Sequence, residues 1–403
     1  MTHAAEGTRW FTFEPLDSLF FRDGRPFNQD DPNQADTTSL FPPYPPTMVG
    51  ALRAALARAL GWNGRREGKA WPEEVLGTGT DWQDEENTSL GPLEFAGPFL
   101  MKDDELLFPA PLHLLRRDKQ KGEEGSRAPE PGTDGRCRKC RSVPREYALL
   151  EPGGQMECDL GEVRLPVAPE GGRWKPAEGC WVTRAGMERI LAGECPDPKV
   201  VFCPDCLWRT EPRIGIAREL ESRTVKRQEN GGGLFATRHV RLAPGVKLVM
   251  AVRGVPNELS LDGVITPLGG EGRAAAVSEL EKPPALPEEN KAAEGEKAAY
   301  IAVFITPADL AERPKPGEAV DGLPGRVVSA AIGKPVRIGG WDGVARRPIP
   351  LRACLPAGSV LFLEECDGRI SACSIGRARE WGFGRVLIGR WPVPSQDGKG
   401  GGP

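Results

Sequence analysis

Four cysteines form two CxxC pairs whose spacing could hold a metal ion. Cys137 pairs with Cys140 and Cys203 pairs with Cys206, with 62 residues between the pairs. Each pair presents two thiolates on one tight turn, and two such turns complete the tetrahedral four-sulfur set that zinc prefers. We therefore expect a structural zinc site, because four thiolates leave no coordination position open for water or substrate.

Other uses of these cysteines stay open from the sequence. A thioredoxin-type redox motif would need a βαβ context, which the neighbouring sequence lacks. Simple buried thiols would need no metal at all. Cys158, Cys180 and Cys195 lie in the same stretch of chain, and each is an alternative fourth ligand.

One of the three histidines lies among basic residues. His239, in the segment TRHVRL, could act as a general base that takes the proton of an RNA 2′-hydroxyl. The alternative is a histidine that contacts phosphate or solvent without catalysis. The sequence contains no serine-hydrolase, zinc-protease or P-loop motif. It therefore favours a protein that holds a polyanion over one that cuts it.

Two arginine-bearing loops indicate where such a polyanion would be held. Arg22 and Arg25 lie in FFRDGRPF, between an apolar strand and a proline-stiffened helix start. Near the other end of the chain, WGFGR places Gly382 and Gly384 beside Arg385. Glycines there would let backbone N–H groups approach phosphates closely. An ordinary glycine turn is the alternative for this second loop.

Charge is unevenly distributed along the 403 residues, whose net charge is −4. Residues 207–253, 326–352 and 376–390 carry net charges of +6, +5 and +3, which leaves −18 for the rest. Local basic surfaces on an acidic body allow RNA binding and limit non-specific adhesion. Solvated arginines on exposed faces are the alternative.

Nothing in the sequence predicts a membrane or secretory location. No apolar run reaches the roughly 20 residues that a membrane helix needs, and the first residues lack the pattern of a signal peptide. We therefore expect the ten cysteines to lie in a reducing cytoplasm.

Short elements must position these residues, because the chain has 50 glycines and 40 prolines and only 39% hydrophobic residues. Strands are predicted at residues 10–13, 246–252 and 299–305, and a short helical turn at 307–311. A helix is predicted from Thr47 to a closing glycine. Strand, loop and helix in this order open a ferredoxin-like βαββαβ unit, so we expect an α+β fold with two sheet units.

Several segments, taken in order, resemble one known family. They are LDSLFFRDGRPF, FPPYPPTMVGALRAAL, EPRIGIARE with GLFATRHVRL, TPLGGEGR, VRIGGWDGVARRP, PAGSVLFLE and WGFGRVLIGRW. The family is the third subunit of the CRISPR type III-B Cmr effector complex, within the RAMP superfamily of RNA-binding proteins. The resemblance runs from Trp10 to Trp391, and the two CxxC pairs are not part of the shared pattern.

The resemblance implies two ferredoxin-like (RRM-like) domains with long insertions. The N-terminal domain would span residues 8–260 and carry a zinc-knuckle insertion at about 118–210. The C-terminal domain would span 261–392 and end in the glycine-rich loop, followed by a disordered tail at 393–403.

The resemblance also implies a non-catalytic subunit that acts in antiviral defence. It would bind the repeat-derived 5′ handle of the guide RNA and dock against the large polymerase-domain subunit and the backbone RAMP subunits. One alternative is a RAMP endoribonuclease that processes CRISPR precursor RNA with His239 as base. Another is the equivalent handle-binding subunit of the type III-A complex.

Motif positions carried over from the family, together with the basic windows and aromatic residues that could stack on bases, give the expected RNA-contacting set. For each aromatic residue, a place in the core is the alternative. Its members are Arg22, Arg25, Arg53, Arg213, Arg218, His239, Arg337, Trp341, Gly382, Phe383, Gly384 and Arg385. For Arg53, an ion pair on the helix surface is an equal alternative.

Overall fold

The computed structural model describes residues 7–22, 36–64, 68–83, 89–118, 135–138, 140, 145–158, 161–216, 218, 221–225, 234–288, 298–343, 346–366 and 373–391. The tail predicted to be disordered, 393–403, lies outside these residues. Among the described segments, no helix is both long and apolar enough to cross a membrane.

Strands dominate the described residues, and helices are few and mostly short. The strands are β1 (Thr8–Pro15), β2 (Asp36–Thr38), β3 (Glu94–Lys102), β4 (Glu105–Pro109), β5 (Leu114–Asp118), β6 (Arg145–Leu149), β7 (Glu151–Cys158), β8 (Gly161–Val167), β9 (Lys175–Pro176), β10 (Trp181–Thr183), β11 (Val201–Phe202), β12 (Trp208–Ile216), β13 (Leu234–Leu242), β14 (Val246–Arg253), β15 (Val264–Pro267), β16 (Ala274–Glu279), β17 (Ala298–Phe304), β18 (Arg326–Ala331), β19 (Val336–Asp342), β20 (Arg347–Cys354), β21 (Val360–Cys366), β22 (Cys373–Ser374) and β23 (Arg385–Arg390). The helices are α1 (Pro45–Ala59), α2 (Glu73–Leu76), α3 (Arg184–Leu191) and α4 (Pro204–Leu207).

The first sheet has the strand order β11-β10-β4-β3-β14-β1-β16-β15, and neighbouring strands are antiparallel. Because β1 and β3 both run antiparallel to β14 between them, they run parallel to each other. Helix α1 lies between β1 and β3 in the chain and packs against β15 and β3.

Helix α1 forms where the sequence predicts it. Pro45 and Pro46 occupy its first positions, where a missing backbone N–H costs nothing. Met48, Leu52 and Leu56 recur at helical spacing and are buried against the sheet. The helix ends before Gly61, whose φ of 90° reverses the chain in the left-handed region.

The second sheet has the order β18-β21-β17-β23-β22, again antiparallel between neighbours. Its central strand β17 is buried on both faces. Ile301 and Val303 pack into the large core shared with the first sheet, whereas Tyr300 and Phe304 pack into a second cluster. The expectation of a sheet-rich α+β fold is confirmed.

Two sequence-based expectations about this region need correction. The predicted boundary between residues 260 and 261 assigned β15 and β16 to the second domain, but β16 pairs with β1, so the first sheet extends to Glu279. The predicted helical turn at 307–311 is instead extended chain, because Ala308 and Asp309 form bridges with Leu355 and Arg377.

Smaller sheets complete the fold. They are the three-stranded sheet β12-β13-β2, the three-stranded sheet β6-β5-β9, and the two hairpins β7-β8 and β19-β20.

Candidate nucleic-acid interface and metal centre

The four cysteines of the two CxxC pairs converge on one point. The Sγ of Cys203 lies 3.5 Å from that of Cys137, 3.2 Å from that of Cys140 and 3.6 Å from that of Cys206. With a metal–sulfur distance of about 2.3 Å, tetrahedral sulfurs would lie roughly 3.8 Å apart. The predicted clustering is confirmed, and the four thiols could hold one metal ion.

Local structure aims these side chains at each other. Cys203 precedes helix α4 and Cys206 lies within it, so one turn presents both sulfurs to the same side. The backbone N–H of Cys137 donates to the Sγ of Cys206 at 3.3 Å. Within the described part of the chain, the alternative ligands stay outside this group; Cys180, for example, contacts Arg116 instead, with its Sγ 3.7 Å from Nη1.

A buried arginine supports the thiolate state of this cluster. Arg145 is only 6% exposed, and its Nη1 donates to the Sγ of Cys140 at 3.2 Å. The carboxylate of Asp118, 3.5 Å from Nε, is mostly exposed. Burying a guanidinium is costly unless hydrogen-bond acceptors or negative charge surround it, and a set of metal-bound thiolates would supply both.

Four arginines lie on the hairpin formed by β12 and β13, hereafter the basic hairpin. Its two nine-residue strands pair from Trp208 opposite Leu242 to Ile216 opposite Leu234. Strand β2 adds in parallel to β13. Helix α4 leads directly into β12, so the basic hairpin begins two residues after the last cysteine of the cluster.

Three arginines converge on Asp17. Arg213 and Arg273 each donate to Oδ2 at 2.8 Å, and Arg241 donates to Oδ1 at 2.8 Å. Hydrogen bonds from Arg213 and Arg241 hold the pKa of Asp17 well below its usual range. Glu211 accepts from the same two arginines. The guanidinium groups are thereby held in fixed directions while Arg241 stays 50% exposed.

His239 lies beneath this cluster and not on the surface. Its side chain is 0% exposed, and its ring stacks on Phe20 with the centroids 5.0 Å apart. Burial, followed by the positive charge of Arg273, lowers the pKa of His239. A buried neutral ring does not reach an RNA phosphate or 2′-hydroxyl, so the predicted RNA contact of His239 is not supported by its position.

Other predicted contacts lie beside the basic hairpin. Arg22 is exposed and forms a bridge with Ser39, next to β2. Arg218 is exposed and forms a bridge with Val225 beyond the end of β12. Arg25 lies outside the described residues.

Arg53 has a different role from the one predicted. It is 5% exposed on α1, and its guanidinium donates to the carbonyls of Leu76 at 2.8 and 3.1 Å, of Gly77 at 2.9 Å and of Gly79. These bonds fix the segment after α2 against the helix. The position of Arg53 therefore supports neither the phosphate contact nor the surface ion pair expected for it, since its donors serve backbone carbonyls in the interior.

The terminal glycine loop also packs inside the protein. Gly384 has a φ of 67°, and a Cβ there would lie 1.8 Å from the carbonyl oxygen of Ile375. Its N–H donates to the carbonyl of Pro307 at 2.7 Å. Gly382 has a φ of 93°, and a Cβ added there would lie 2.7 Å from the carbonyl oxygen of Gly97. These glycines allow close packing of backbone on backbone, not the predicted approach of a phosphate.

The residues between and after these glycines are buried as well. Phe383 is 0% exposed and stacks on Trp82 at 4.6 Å, so it is a core residue and not a platform for RNA bases. Arg385 is 8% exposed, and its backbone N–H donates to the Oγ1 of Thr306 at 2.9 Å. The predicted RNA contacts at this loop are corrected for the same reason, namely burial.

The β19-β20 hairpin keeps its predicted contacts on the surface. Trp341 is 63% exposed and Arg337 is exposed. In the middle of the two strands, Trp82 donates from Nε1 to the carbonyl of Gly339 at 2.9 Å, and Gln83 donates to the carbonyl of Pro350 at 2.6 Å. Trp341 is therefore displayed on an anchored strand.

Sequence reasoning missed the residues that organise the arginine cluster. Asp17, Ser18, Arg241, Glu271 and Arg273 come from three segments that no short motif joins. Each lies in a segment that resembles the family, namely LDSLFFRDGRPF, GLFATRHVRL or TPLGGEGR, but no sequence pattern indicates that these three segments meet.

A comparison with known protein families identifies the family of this chain. A sequence model described as "CRISPR-associated protein (Cas_Cmr3)" matches residues 11–391. No curated protein matches the chain.

The fold is also similar to chains in solved type III CRISPR complexes. One is the type III-B Cmr-beta complex bound to cognate target RNA, at 17% identity and a TM-score of 0.44, covering 88% of this chain and 86% of that chain. The same complex bound to target RNA and AMPPnP gives 17% identity and a TM-score of 0.42. The Csm3–Csm4 subcomplex of the type III-A complex gives 9% identity and a TM-score of 0.37, covering 95% and 100% of the two chains.

The family match begins inside strand β1 and ends one residue after strand β23. It agrees with the order of the motifs from the opening arginine loop to the terminal glycine loop. The chain therefore belongs to the Cas_Cmr3 family of CRISPR-associated proteins.

Proposed function

We propose that this subunit of a type III CRISPR effector complex binds the 5′ handle of the guide RNA along the basic hairpin. The observation that carries the proposal is the convergence of Arg213, Arg241 and Arg273 on Asp17. Arginines held in fixed directions lose little side-chain entropy when they contact phosphates. Single-stranded RNA is bound through such phosphate contacts together with stacking of its bases.

Strand register adds a second reason to expect an anionic ligand here. Arg209 and Arg241 lie directly opposite each other on the two strands of the basic hairpin. Like charges in this position destabilise a sheet, and a bound phosphate chain would reverse that effect. Exposed Arg22 and Arg218 beside the basic hairpin would extend the same contact.

The β19-β20 hairpin supplies the second contact in this proposal. Trp341 offers an exposed aromatic face for one base, and Arg337 offers a charge for a neighbouring phosphate. The protein would act without catalysis, and the burial of His239 supports this because a general base must reach the proton that it abstracts.

Zinc is the metal that we propose for the cysteine cluster, with a structural role. Four thiolates without an open position are typical of such sites. The ion would link residues 137–140 to helix α4 and so to the start of the basic hairpin.

We also propose that the two main sheets are two ferredoxin-like units. In β3-β14-β1-β16 and in β18-β21-β17-β23, the strands follow the chain order second, third, first, fourth. This is the strand order of the βαββαβ unit. Docking of the large polymerase-domain subunit and the backbone subunits, as part of a type III-B complex in the cytoplasm, completes the proposed function.

The test measures binding and cleavage together. The purified chain is titrated into labelled guide RNA with and without the handle, in EDTA. We expect tighter binding to the RNA that carries the handle, and intact RNA after incubation. Cleavage that the His239→Ala variant abolishes would support the endoribonuclease alternative.

A matched pair of variants locates the contact. Arg241→Gln should weaken handle binding, whereas Arg189→Gln should not. Both arginines are about half exposed and both form an ion pair, but Arg189 lies on α3 beside Glu194. Equal effects of the two variants would contradict binding at the basic hairpin.

A further inference from the structure

His239 joins three segments that lie far apart in the chain. Its Nδ1 is 3.2 Å from the Oγ of Ser18, in the loop after β1. Its Nε2 is 3.0 Å from the Oε2 of Glu271, in the turn before β16, and 3.1 Å from the Oγ1 of Thr237 on its own strand. The proposed function gives this fully buried histidine no direct task.

These partners determine which ring nitrogen carries the hydrogen. An ionised carboxylate only accepts hydrogen bonds, so Nε2 must donate to Glu271. Nδ1 then accepts from the hydroxyl of Ser18. The neutral tautomer with the hydrogen on Nε2 satisfies the contacts with Ser18 and Glu271, and burial favours the neutral form.

The partners of His239 are chain neighbours of the arginine cluster. Ser18 directly follows Asp17, and Glu271 lies two positions before Arg273. The turn that carries Glu271 is also tied to the loop after β1, because the N–H of Gly270 donates to the carbonyl of Phe20 at 2.7 Å. A change at the ring would therefore shift both the carboxylate and one of the guanidiniums that it holds.

We infer that His239 is a positioning residue for RNA binding. Through Ser18 and Glu271 it fixes Asp17 and Arg273, and through Asp17 it fixes the directions of the two hairpin arginines. This inference rests on the proposed function for its effect on RNA, but its effect on Asp17 can be measured without RNA.

Two substitutions separate the polar contacts of the ring from its volume. His239→Phe keeps an aromatic ring against Phe20 and removes every hydrogen bond. His239→Gln places an amide N–H where Nε2 donates to Glu271. Thermal unfolding of both variants establishes that they are folded.

The first measurement is the pKa of Asp17. It is determined by an NMR titration of carboxyl-labelled protein without RNA. We expect His239→Phe to raise it toward the ordinary value of 3.8 and His239→Gln to leave it low. A low Asp17 pKa in folded His239→Phe would overturn the inference. If His239→Phe does not fold, Glu271→Ala and Ser18→Ala each break one contact and are expected to raise the same pKa.

The second measurement is affinity for the labelled handle RNA. We expect His239→Phe to lower it about tenfold, the effect of losing a hydrogen bond to a charged group, and His239→Gln to restore most of it. Equal losses in both variants would also contradict the inference. Wild-type protein that fails to bind the handle RNA would contradict the proposed function, and the Asp17 pKa would still decide the inference.

Discussion

The carboxylate of Asp17 accepts a hydrogen bond from Arg273 at 2.8 Å, although 256 positions separate the two residues. Two more arginines, from the two strands of the basic hairpin, donate to the same carboxylate. One acidic side chain near the N-terminus therefore organises the basic surface that we propose for RNA binding.

Asp17→Asn should destabilise the protein in a pH-dependent way. Because the folded state lowers the pKa of Asp17, its ionised form contributes stability above the ordinary pKa of 3.8, and this contribution is lost as the pH falls below that value. Urea unfolding from pH 7 to pH 3 should show a gap between wild type and variant that narrows in acid. A gap that is the same at every pH, or that Asp262→Asn at an exposed position reproduces, would contradict this account.

The metal prediction concerns stoichiometry. Elemental analysis of the purified chain should find about one zinc ion per molecule, because four thiolates form one closed site. Cys203→Ser should lose the metal, whereas Cys195→Ser, at an exposed cysteine outside the cluster, should retain it. Fully folded wild-type protein without metal would rule out a structural ion.

Arg53→Met should reduce stability without changing the RNA affinity of the folded protein. The substitution leaves several buried carbonyls without their donor, which costs about 1–3 kcal/mol for each unsatisfied group. Chemical denaturation gives the loss of stability, and RNA titration of the folded variant gives the affinity. A weakened affinity with unchanged stability would restore the phosphate contact that the sequence predicted.

Gly384→Ala should be strongly destabilising, because the added Cβ would lie 1.8 Å from a backbone oxygen at a φ of 67°. Gly343→Ala is the control, since a Cβ there meets nothing within 4 Å. Thermal unfolding of both variants measures the difference. A Gly384→Ala variant as stable as the control would show that the loop is open enough to receive a ligand.

Trp341→Ala should weaken RNA binding with little effect on stability. Stacking of one base on an aromatic ring contributes about 1–3 kcal/mol, and Trp341 is 63% exposed. Leu351→Ala removes an exposed apolar side chain from the same hairpin and serves as the control. Titration of labelled RNA at several salt concentrations would show a lower affinity with an unchanged salt slope, because no phosphate contact is lost.

The sequence predicts features of this protein whose cause is local. Helix α1 follows from its prolines, its apolar spacing and its closing glycine. The cysteine cluster was expected from two CxxC turns, because pairs of thiols at this spacing are typical of a single four-sulfur metal site. The glycine-rich segment VRIGGWDGVARRP was expected to be a contacting loop. Its Arg337 and Trp341 are exposed, but they lie on a strand of a hairpin.

What the sequence does not predict depends on pairing between distant residues. The position of β16 in the first sheet arises from its register with β1, which no local pattern encodes. Arg53, Phe383 and Arg385 have residue types that suit RNA contact, but tertiary packing buries them. The Asp17 cluster could not be found because its members come from three separate segments.

The pairing of β1 with β14 and β16 also determines the order in which the molecule can assemble. Phe11 lies between Met250 on one side and Glu279 on the other. During synthesis the first strand therefore emerges from the ribosome long before either of its neighbours exists. The first sheet, and the arginine cluster joined to it through Arg273, can form only after most of the chain has been made. The basic surface therefore forms late in synthesis. A truncated chain lacking residues 264–279 would leave one edge of β1 unpaired.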